Sequence, residues 1–430
     1  MLSWLAPVVV FGLVVLVHEA GHFFAAKLLG VYAPRFSIGF GRPLWRRRRG
    51  ETEYVIGWLP LGGYVKISGM IDESMDKEQM KKAPEPWEFR SKPAWQRFII
   101  MIGGVTVNVI LGVLIYAMVL FAWGKEYLTV NNLTYGIACD SLALKIGFRD
   151  GDKILSVDRK YVEALNKVPV AVIMNQATSV QIERDGEKKD IAISEDDLSR
   201  MIAGKSMLFT ARVPSEVDSL LPGKEAEKAG IKIGDKIISV NGMPTPFLID
   251  IQRNLQKNKK KGTSLDILRG NDTVPVNVNV SEDGTIGFVN KTPDEYLTFK
   301  KIEYGFFESF GAGVQEGYEK IVMQVKTMVI LFTVKDAHKS LGGFYSIAQA
   351  YDPSWDWQVF WAFTAFLSVV LAFMNILPIP GLDGGYILFL LFEMVSRKKV
   401  PDKVIEYANY AGFALLLTLM VYANTDFLRH

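Results

Sequence analysis

The chain has 430 residues, more than one compact soluble domain usually contains, so roughly two to four structural units are expected. Hydrophobic residues make up 49% and charged residues 22%, which excludes wholesale disorder and collagen-like repetition. The net charge of +3 excludes the broad basic field of a nucleic-acid-binding protein. The single cysteine excludes an intramolecular disulfide and a cysteine zinc cluster, so any metal must be held by His and carboxylate ligands.

Four apolar segments suit membrane-spanning helices. The first, residues 1–30, has His18, Glu19 and His22 as the only ionisable side chains of its apolar run. A cleaved signal peptide is the alternative, but the first lysine, Lys27, follows this run instead of preceding it. The other predicted spans are residues 98–124, 359–393 and 405–424.

Loop charge predicts the orientation of these spans, because Lys and Arg are retained on the cytoplasmic side. The turn at residues 394–404 and the loop at residues 31–97 are both basic and are therefore predicted to be cytoplasmic. Both termini, and residues 125 to about 359, then lie on the far side. A nucleic-acid patch is the alternative for Arg46 to Arg49, but their place between two spans favours topology. The basic residues of the 31–97 loop are Arg35, Arg42, Arg46 to Arg49, Lys81, Lys82, Arg90, Lys92 and Arg97.

The region between the second and third spans contains an internal duplication. Residues 141–158 (SLALKIGFRDGDKILSVD) match residues 226–241 (AEKAGIKIGDKIISVN) at a spacing of 83 residues. In each copy a small helix, a Gly-Asp turn and an alternating apolar strand predict a β-rich module. The second copy closes with Asn241-Gly242, whereas the first has Asp158-Arg159.

These copies resemble the PDZ family, most clearly at Ala229 to Gly242, and the predicted domains are residues 125–210 and 211–295. PDZ modules bind peptides by adding a strand to a sheet edge, so the resemblance implies peptide or protein ligands. The alternative is that both copies are spacers.

In the following segment, residues 296–358, the apolar pattern from Tyr318 to Val334 predicts an amphipathic surface helix. A fifth span would put the termini on opposite sides and contradict the loop charges.

An HExxH motif, His18-Glu19-Ala20-Gly21-His22, lies within the first span. Residues i and i+4 share one helix face, so both imidazoles can reach one Zn²⁺ while Glu19 handles the proton of a water molecule. Ionisable side chains are costly inside a bilayer, which argues for a functional site. A polar cluster that merely joins helices is the alternative.

A catalytic zinc ion needs a third protein ligand. Asp383 is the only charged residue from Trp361 to Phe392, and it follows two prolines, Pro378 and Pro380, that break the helix. The first and third spans run in the same direction, and both polar sites lie toward their cytoplasmic ends. We therefore expect a zinc site formed by His18, His22 and Asp383.

The combination of HExxH in the first span, tandem PDZ copies after the second, and N-x-x-P-x-P-x-L-D-G from Asn375 in the third resembles the site-2 protease family of intramembrane zinc metalloproteases. The similarity is greatest to its bacterial regulator of sigma-E protease branch. The resemblance implies that Glu19 is the general base and that Asn375 binds substrate near the metal. It also implies that Gly39 to Gly41 and Tyr54 to Lys66 form a membrane-dipping β region.

The predicted fold class is a polytopic α-helical membrane protein with four transmembrane helices. Two β-rich PDZ domains are inserted between helices two and three, and a membrane-associated β region follows helix one. The resemblance implies zinc-dependent cleavage of single-span membrane proteins, such as anti-sigma factors, and of remnant signal peptides, as the second cut of a cascade in a bacterial inner membrane. The lipid bilayer is an expected partner, and nucleic acid is not. A PDZ membrane scaffold with a vestigial metal site is the alternative. Four spans without an inverted repeat disfavour a transporter.

Overall fold

The computed structural model of the protein describes residues 5–70, 83–204, 207–343 and 355–425. Lys81 and Lys82 of the predicted basic loop, and residues 344–354 of the predicted 296–358 segment, lie outside the described residues. The chain forms two compact units. One contains Met1–Lys125, Glu303–Val329 and Leu341–His430, and the other contains Glu126–Ile302 and Ile330–Ser340.

Eleven α-helices occur in the described residues, numbered here in chain order. They are α1 Leu5–Leu28, α2 Ala94–Trp123, α3 Ser141–Ile146, α4 Lys167–Met174, α5 Glu195–Ala203, α6 Glu225–Lys228, α7 Leu248–Lys257, α8 Phe306–Thr333, α9 Trp357–Ile376, α10 Asp383–Ser396 and α11 Asp402–Asn424.

The strands are β1 Arg35–Arg49, β2 Thr52–Lys66, β3 Lys125–Tyr127, β4 Ile137–Cys139, β5 Lys153–Val157, β6 Ser179–Arg184, β7 Glu187–Ala192, β8 Phe209–Ala211, β9 Val217–Leu220, β10 Lys236–Val240, β11 Met243–Pro244, β12 Gly262–Arg269, β13 Asp272–Asn279, β14 Phe288–Asn290 and β15 Lys300–Ile302.

Four of the described helices are long and apolar enough to cross a membrane, judged by length and composition. These segments are Val8–Leu28, Ala94–Trp123, Trp357–Ile376 and Lys403–Asn424. The predicted third span, residues 359–393, consists of two helices, α9 and α10, separated by residues 377–382. α8, which begins at Phe306 and not at the predicted Tyr318, is not among the four.

Small residues allow α1, α2 and α9 to pack closely. A Cβ atom on Gly21 of α1 would lie 2.5 Å from the carbonyl oxygen of Gly103 in α2. On the other side of α2, Ala365 and Val369 of α9 are fully buried, and a Cβ on Gly112 would lie 2.7 Å from Val369 Cγ2. Close backbone approach of this kind is typical of helices that associate in a membrane, where apolar burial alone gives little drive.

The strands β1 and β2 form one sheet in which part of β1 has a neighbour on each side. Arg35 pairs with both Lys66 and Glu53, so the segment from Arg35 lies between two segments of β2. The reversal in β1 occurs at Gly39 and Gly41, whose φ angles of +77° and +81° favour glycine. Residues 63–66 therefore form an outer strand of this sheet among the described residues.

The β1–β2 sheet lies along α1. Within β2, a Cβ on Gly62 would lie 3.0 Å from Val15 Cγ1, and the Pro60 carbonyl oxygen is equally close to the Cβ position of Gly12. Both Gly12 and Val15 belong to the apolar segment Val8–Leu28. The sheet therefore lies beside the part of α1 that forms the first candidate span.

The internal duplication is visible in the second unit. The first copy contains the sheets β4–β8 and β5–β6–β7, and the second contains β9–β14 and β11–β10–β12–β13. Residues that match in the sequence are buried in both copies, as at Ala143 with Ala226 and Ile154 with Ile237. Each copy has its own apolar core.

Each copy also has the same buried Asp–Arg pair. Arg184 donates two hydrogen bonds of 2.8 Å to Asp152, and Arg269 donates bonds of 2.9 and 2.7 Å to Asp235. Burial alone would raise the pKa of Asp235, but the hydrogen bonds from Arg269 and from the Lys232 N–H outweigh burial and hold that pKa below its usual range. A shared ion pair in equivalent positions supports the duplication independently of the sequence match.

The first copy keeps the tight turn although it lacks Asn-Gly. Asp158, with φ +44°, accepts hydrogen bonds from the Thr178 and Ser179 N–H groups, as Asn241, with φ +50°, does from Ser264. Aspartate and asparagine both tolerate this left-handed conformation. The missing Asn-Gly therefore does not alter the local fold.

Side chains from the second copy contact the first. Arg253 of α7 pairs with Asp150 and donates to the Cys139 carbonyl oxygen. Burial, followed by the nearby Asp150 carboxylate, raises the pKa of the Cys139 thiol to about 12. This cysteine therefore stays protonated and is neither a nucleophile nor a metal ligand at neutral pH.

Candidate metal centre

His18 and His22 lie one turn apart on α1 and face the same side. Each is 5% exposed, and their ring centres are 4.7 Å apart at an interplanar angle of 86°. The two Nε2 atoms are separated by 3.2 Å. The i, i+4 spacing thus brings one nitrogen of each imidazole to the same point, as the motif predicts.

Asp383 reaches this point from α10. Its Oδ2 lies 3.0 Å from His18 Nε2 and 3.2 Å from His22 Nε2. The three ligand atoms all lie within 4.8 Å of one another, and both histidines are buried. The described structure therefore brings together the three residues expected to bind zinc.

The break between α9 and α10 directs Asp383 toward the histidines. Pro378 and Pro380 lack the backbone N–H that would continue α9, and Gly381 has a φ angle of +92° that favours glycine. α11 approaches this break through Gly412, where a Cβ atom would lie only 1.7 Å from the Pro380 carbonyl oxygen. As a result Asp383 begins a new helix with its carboxylate beside α1.

Asn409 of α11 also holds this break in place. It accepts a hydrogen bond of 3.2 Å from the Gly381 N–H and donates one of 3.1 Å to the Tyr386 hydroxyl. The contribution of α11 was not predicted, because the sequence of this segment shows only an apolar helix.

The donor set fits a zinc ion. His22 Nδ1 donates a hydrogen bond of 2.8 Å to the Ile100 carbonyl oxygen, so Nδ1 carries the hydrogen and the lone pair of the neutral ring is on Nε2. That lone pair points toward Asp383. Two imidazole nitrogens and one carboxylate oxygen are a common ligand set of catalytic zinc, which keeps a further position for water.

Glu19 lies between the two histidines in the sequence, and its carboxylate meets the β1–β2 sheet. Its Oε2 accepts a hydrogen bond of 3.0 Å from the Val65 N–H. Val65 belongs to the outer strand, residues 63–66. The other oxygen, Oε1, has no hydrogen-bond partner in the part of the chain that the structure describes, so it is available for a proton.

Two amide side chains contact His18 from other helices. Asn375, near the end of α9, places Nδ2 3.1 Å from His18 Nε2, which puts it at the candidate metal position. Asn108 of α2 places Nδ2 3.4 Å from His18 Nδ1, on the opposite side of the ring. The sequence resemblance selected Asn375 and assigned no role to Asn108.

Comparison with known proteins identifies the family. The family model described as Peptidase family M50 matches residues 6–419. The chain belongs to this peptidase family. The regulator of sigma E protease of Haemophilus influenzae is 30% identical to this M50 peptidase over 446 residues, 98% of each chain. Protease RseP of Yersinia pestis is 30% identical over 454 residues, 97% of this chain and 96% of its own. A Ralstonia nicotianae protein provisionally named a zinc metalloprotease is 27% identical over 466 residues, 100% of both chains.

The M50 peptidase is therefore a zinc metalloprotease of the site-2 protease type. The predictions of the family, of an enzyme and of Zn²⁺ as cofactor are confirmed. The four candidate membrane helices and the β-rich regions fit a polytopic membrane protease. Family membership favours the enzyme over the scaffold alternative.

Proposed function

We propose that this M50 peptidase cleaves the membrane-spanning segments of single-span proteins, with His18, His22 and Asp383 as the zinc ligands and Glu19 as the general base. The observation that carries the proposal is the convergence of three ligand atoms, all within 4.8 Å of one another, from two helices that are remote in the sequence. An arrangement that only joined helices would not need two imidazole nitrogens and a carboxylate oxygen at one point.

The chain's own residues supply the proton transfers and the positioning. Zinc supplies a Lewis acid that polarises a carbonyl group and acidifies water. Glu19 accepts the proton of the attacking water through Oε1 and returns it to the leaving amine. Asn375, whose amide lies 3.1 Å from His18 Nε2, is placed to hydrogen-bond the substrate backbone beside the metal position.

The β1–β2 sheet is the proposed site of substrate capture. The backbone of a membrane helix is fully paired within itself, so the scissile segment must unwind before it can be cut. Residues 63–66 form an outer strand, and the Val65 N–H on its outer edge points at Glu19. A substrate strand that adds to this edge takes the Val65 hydrogen bond and releases Glu19 Oε2 beside the scissile bond.

The depth of the sheet suits a substrate within the membrane. Pro60 and Gly62 lie against Gly12 and Val15, which are inside the candidate span Val8–Leu28. Gly12 is about 24 Å along the helix axis from Leu28 at a rise of ~1.5 Å per residue. The predicted membrane-dipping β region is therefore proposed for residues 35–66.

The duplicated copies are proposed to be PDZ domains at residues 125–210 and 211–295, on the side of the membrane opposite the basic loops. Support comes from two similar β-rich folds with separate cores. The relatives named as regulators of sigma E support anti-sigma factors as a substrate class. In this proposal the PDZ pair excludes substrates with an intact far-side domain, so the enzyme makes the second cut. Remnant signal peptides are the other proposed substrate class, and a bacterial inner membrane is the proposed location.

Glu19→Gln tests the proposed mechanism. The variant removes the base but keeps the shape of the side chain, so we expect full zinc content and no cleavage of single-span peptides. Glu126→Gln, at an exposed position, is the matched control and should cleave like the wild type. Each protein is incubated with the same panel of spanning peptides, with and without a chelator. Cleavage by Glu19→Gln at the wild-type rate would refute the assignment.

A further inference from the structure

Asn108 is a polar side chain in the charge-free part of α2, residues 98–123. It is fully buried, and its Oδ1 has no hydrogen-bond partner in the described residues. A buried amide oxygen left without a hydrogen-bond donor destabilises the folded protein. Its Nδ2 faces His18 Nδ1 at 3.4 Å, which is long for a hydrogen bond.

The orientation of His18 determines what Asn108 must supply. His18 Nε2 faces Asp383 Oδ2 at 3.0 Å, so this nitrogen must present its lone pair if the ring is to bind zinc. The ring hydrogen then lies on Nδ1, which needs an acceptor. A nitrogen of Asn108 cannot accept, but the oxygen of the same amide can, and the two ends of an amide have nearly the same shape. Rotating the amide end by half a turn places Oδ1 against His18 Nδ1.

The second histidine already has this arrangement. His22 Nδ1 donates to the Ile100 carbonyl oxygen at 2.8 Å. Ile100 and Asn108 are about two turns apart on α2, and both face α1. With the amide rotated, α2 supplies one acceptor to each histidine.

The position of Asn108 is fixed by its surroundings. Its backbone carbonyl oxygen accepts a hydrogen bond of 2.8 Å from the Ser368 hydroxyl of α9. One turn earlier, the Cβ position of Gly104 lies 2.8 Å from His18 Nδ1, so the ring rests directly on α2. The Asn108 backbone and the His18 ring are thus both fixed against their neighbours, so the amide can orient the ring without adjustment of the helix when a metal binds.

We propose that Asn108 is a positioning residue, whose amide oxygen accepts the Nδ1 hydrogen of His18 and so directs the Nε2 lone pair to zinc. The inference deepens the proposed function, because it requires His18 to be a zinc ligand. Loss of such a partner typically weakens metal affinity 10- to 100-fold.

The test compares zinc affinity in Asn108→Leu, Asn108→Asp and Thr106→Val by titration against a competing chelator. We expect about 10- to 100-fold weaker binding in Asn108→Leu and affinity within a few-fold of wild type in Asn108→Asp, which keeps an acceptor. Thr106→Val removes a hydroxyl from the exposed side of the same helix and should leave affinity unchanged. Wild-type affinity in Asn108→Leu would overturn the inference.

A second measurement does not depend on the stability of a variant. The chain has four histidines, so ¹⁵N-histidine spectra of the full-length, zinc-loaded protein are sparse enough to follow the Nδ1 hydrogen of His18. We expect this hydrogen to be observed in the wild type and to exchange slowly with solvent, and exchange as fast as that of a solvent-exposed ring would refute the role of Asn108. His18→Ala separates the two proposals. If His18→Ala retains zinc, the proposed ligand set is wrong. If His18→Ala loses zinc while Asn108→Leu binds zinc with wild-type affinity, only the role of Asn108 is refuted.

Discussion

Gly104→Ala should remove zinc without unfolding the protein. The new Cβ atom would lie 2.5 Å from His22 Nε2 and 2.7 Å from His18 Cε1. Ordinary contacts of this kind need about 3.5 Å, so at least one ring must retreat by roughly 1 Å. The helix cannot easily retreat instead, because α9 packs against its other side, where a Cβ on Gly112 would lie 2.7 Å from Val369 Cγ2.

A displacement of this size exceeds what a metal site accepts. Zinc–ligand distances hold within about 0.2 Å, and a misplacement of ~1 Å at a catalytic group can lower the rate about 100-fold. We therefore expect zinc content well below one ion per chain in Gly104→Ala, and cleavage of a single-span peptide reduced about 100-fold or more.

The assay is metal analysis of purified protein, together with peptide cleavage at saturating zinc. Gly311→Ala in α8 is the matched control, because its Cβ position meets no atom within 4 Å. This variant should keep both zinc and activity, and its thermal unfolding should match that of Gly104→Ala. A Gly104→Ala protein with a full zinc complement and wild-type cleavage would show that the packing of α2 does not set the position of the histidines.

Two further predictions concern the second unit and the break before α10. Because its native pKa is lowered, Asp235 contributes stability above pH ~4 that is lost as the pH falls through its native pKa. Arg269→Gln should therefore speed hydrogen exchange in β10 and β12 at pH 7, and this difference should shrink below pH ~4 as the pH falls through the lowered native pKa of Asp235; an equal difference across this whole range would contradict the ion-pair argument. Asn409→Leu removes two hydrogen bonds from the break and should lower the cleavage rate about 2- to 10-fold with zinc still bound; an unchanged rate would show that Gly412 packing alone holds the break.

The ligand set could be predicted because each of its members has a sequence signal. His18 and His22 have the i, i+4 spacing, and Asp383 is the only charge in its apolar segment. The structure places these three together, and it places Glu19 and Asn375 beside them. Their roles remain predictions until the variants are measured.

The groups that orient these residues could not be predicted in the same way. The Ile100 carbonyl oxygen and the Val65 N–H are backbone groups, which every residue has, so their roles depend only on tertiary packing. Asn108 had a signal, since it is a polar residue in an apolar span, but its partner comes from another helix. The start of α8 was predicted too late because Gly311 and Gly313 interrupt the apolar pattern of its first turns.

Synthesis of the chain produces α1 before residues 35–66 exist. Unpaired backbone N–H and C=O groups are costly in hydrocarbon, so these residues can enter the bilayer only after their strands have paired. In the proposed arrangement the paired sheet rests against α1, with Pro60 and Gly62 beside Gly12 and Val15. Newly made protein would accordingly have its first helix inserted while the peptidase is still inactive, and its maturation would be set by the entry of a preformed sheet into the membrane.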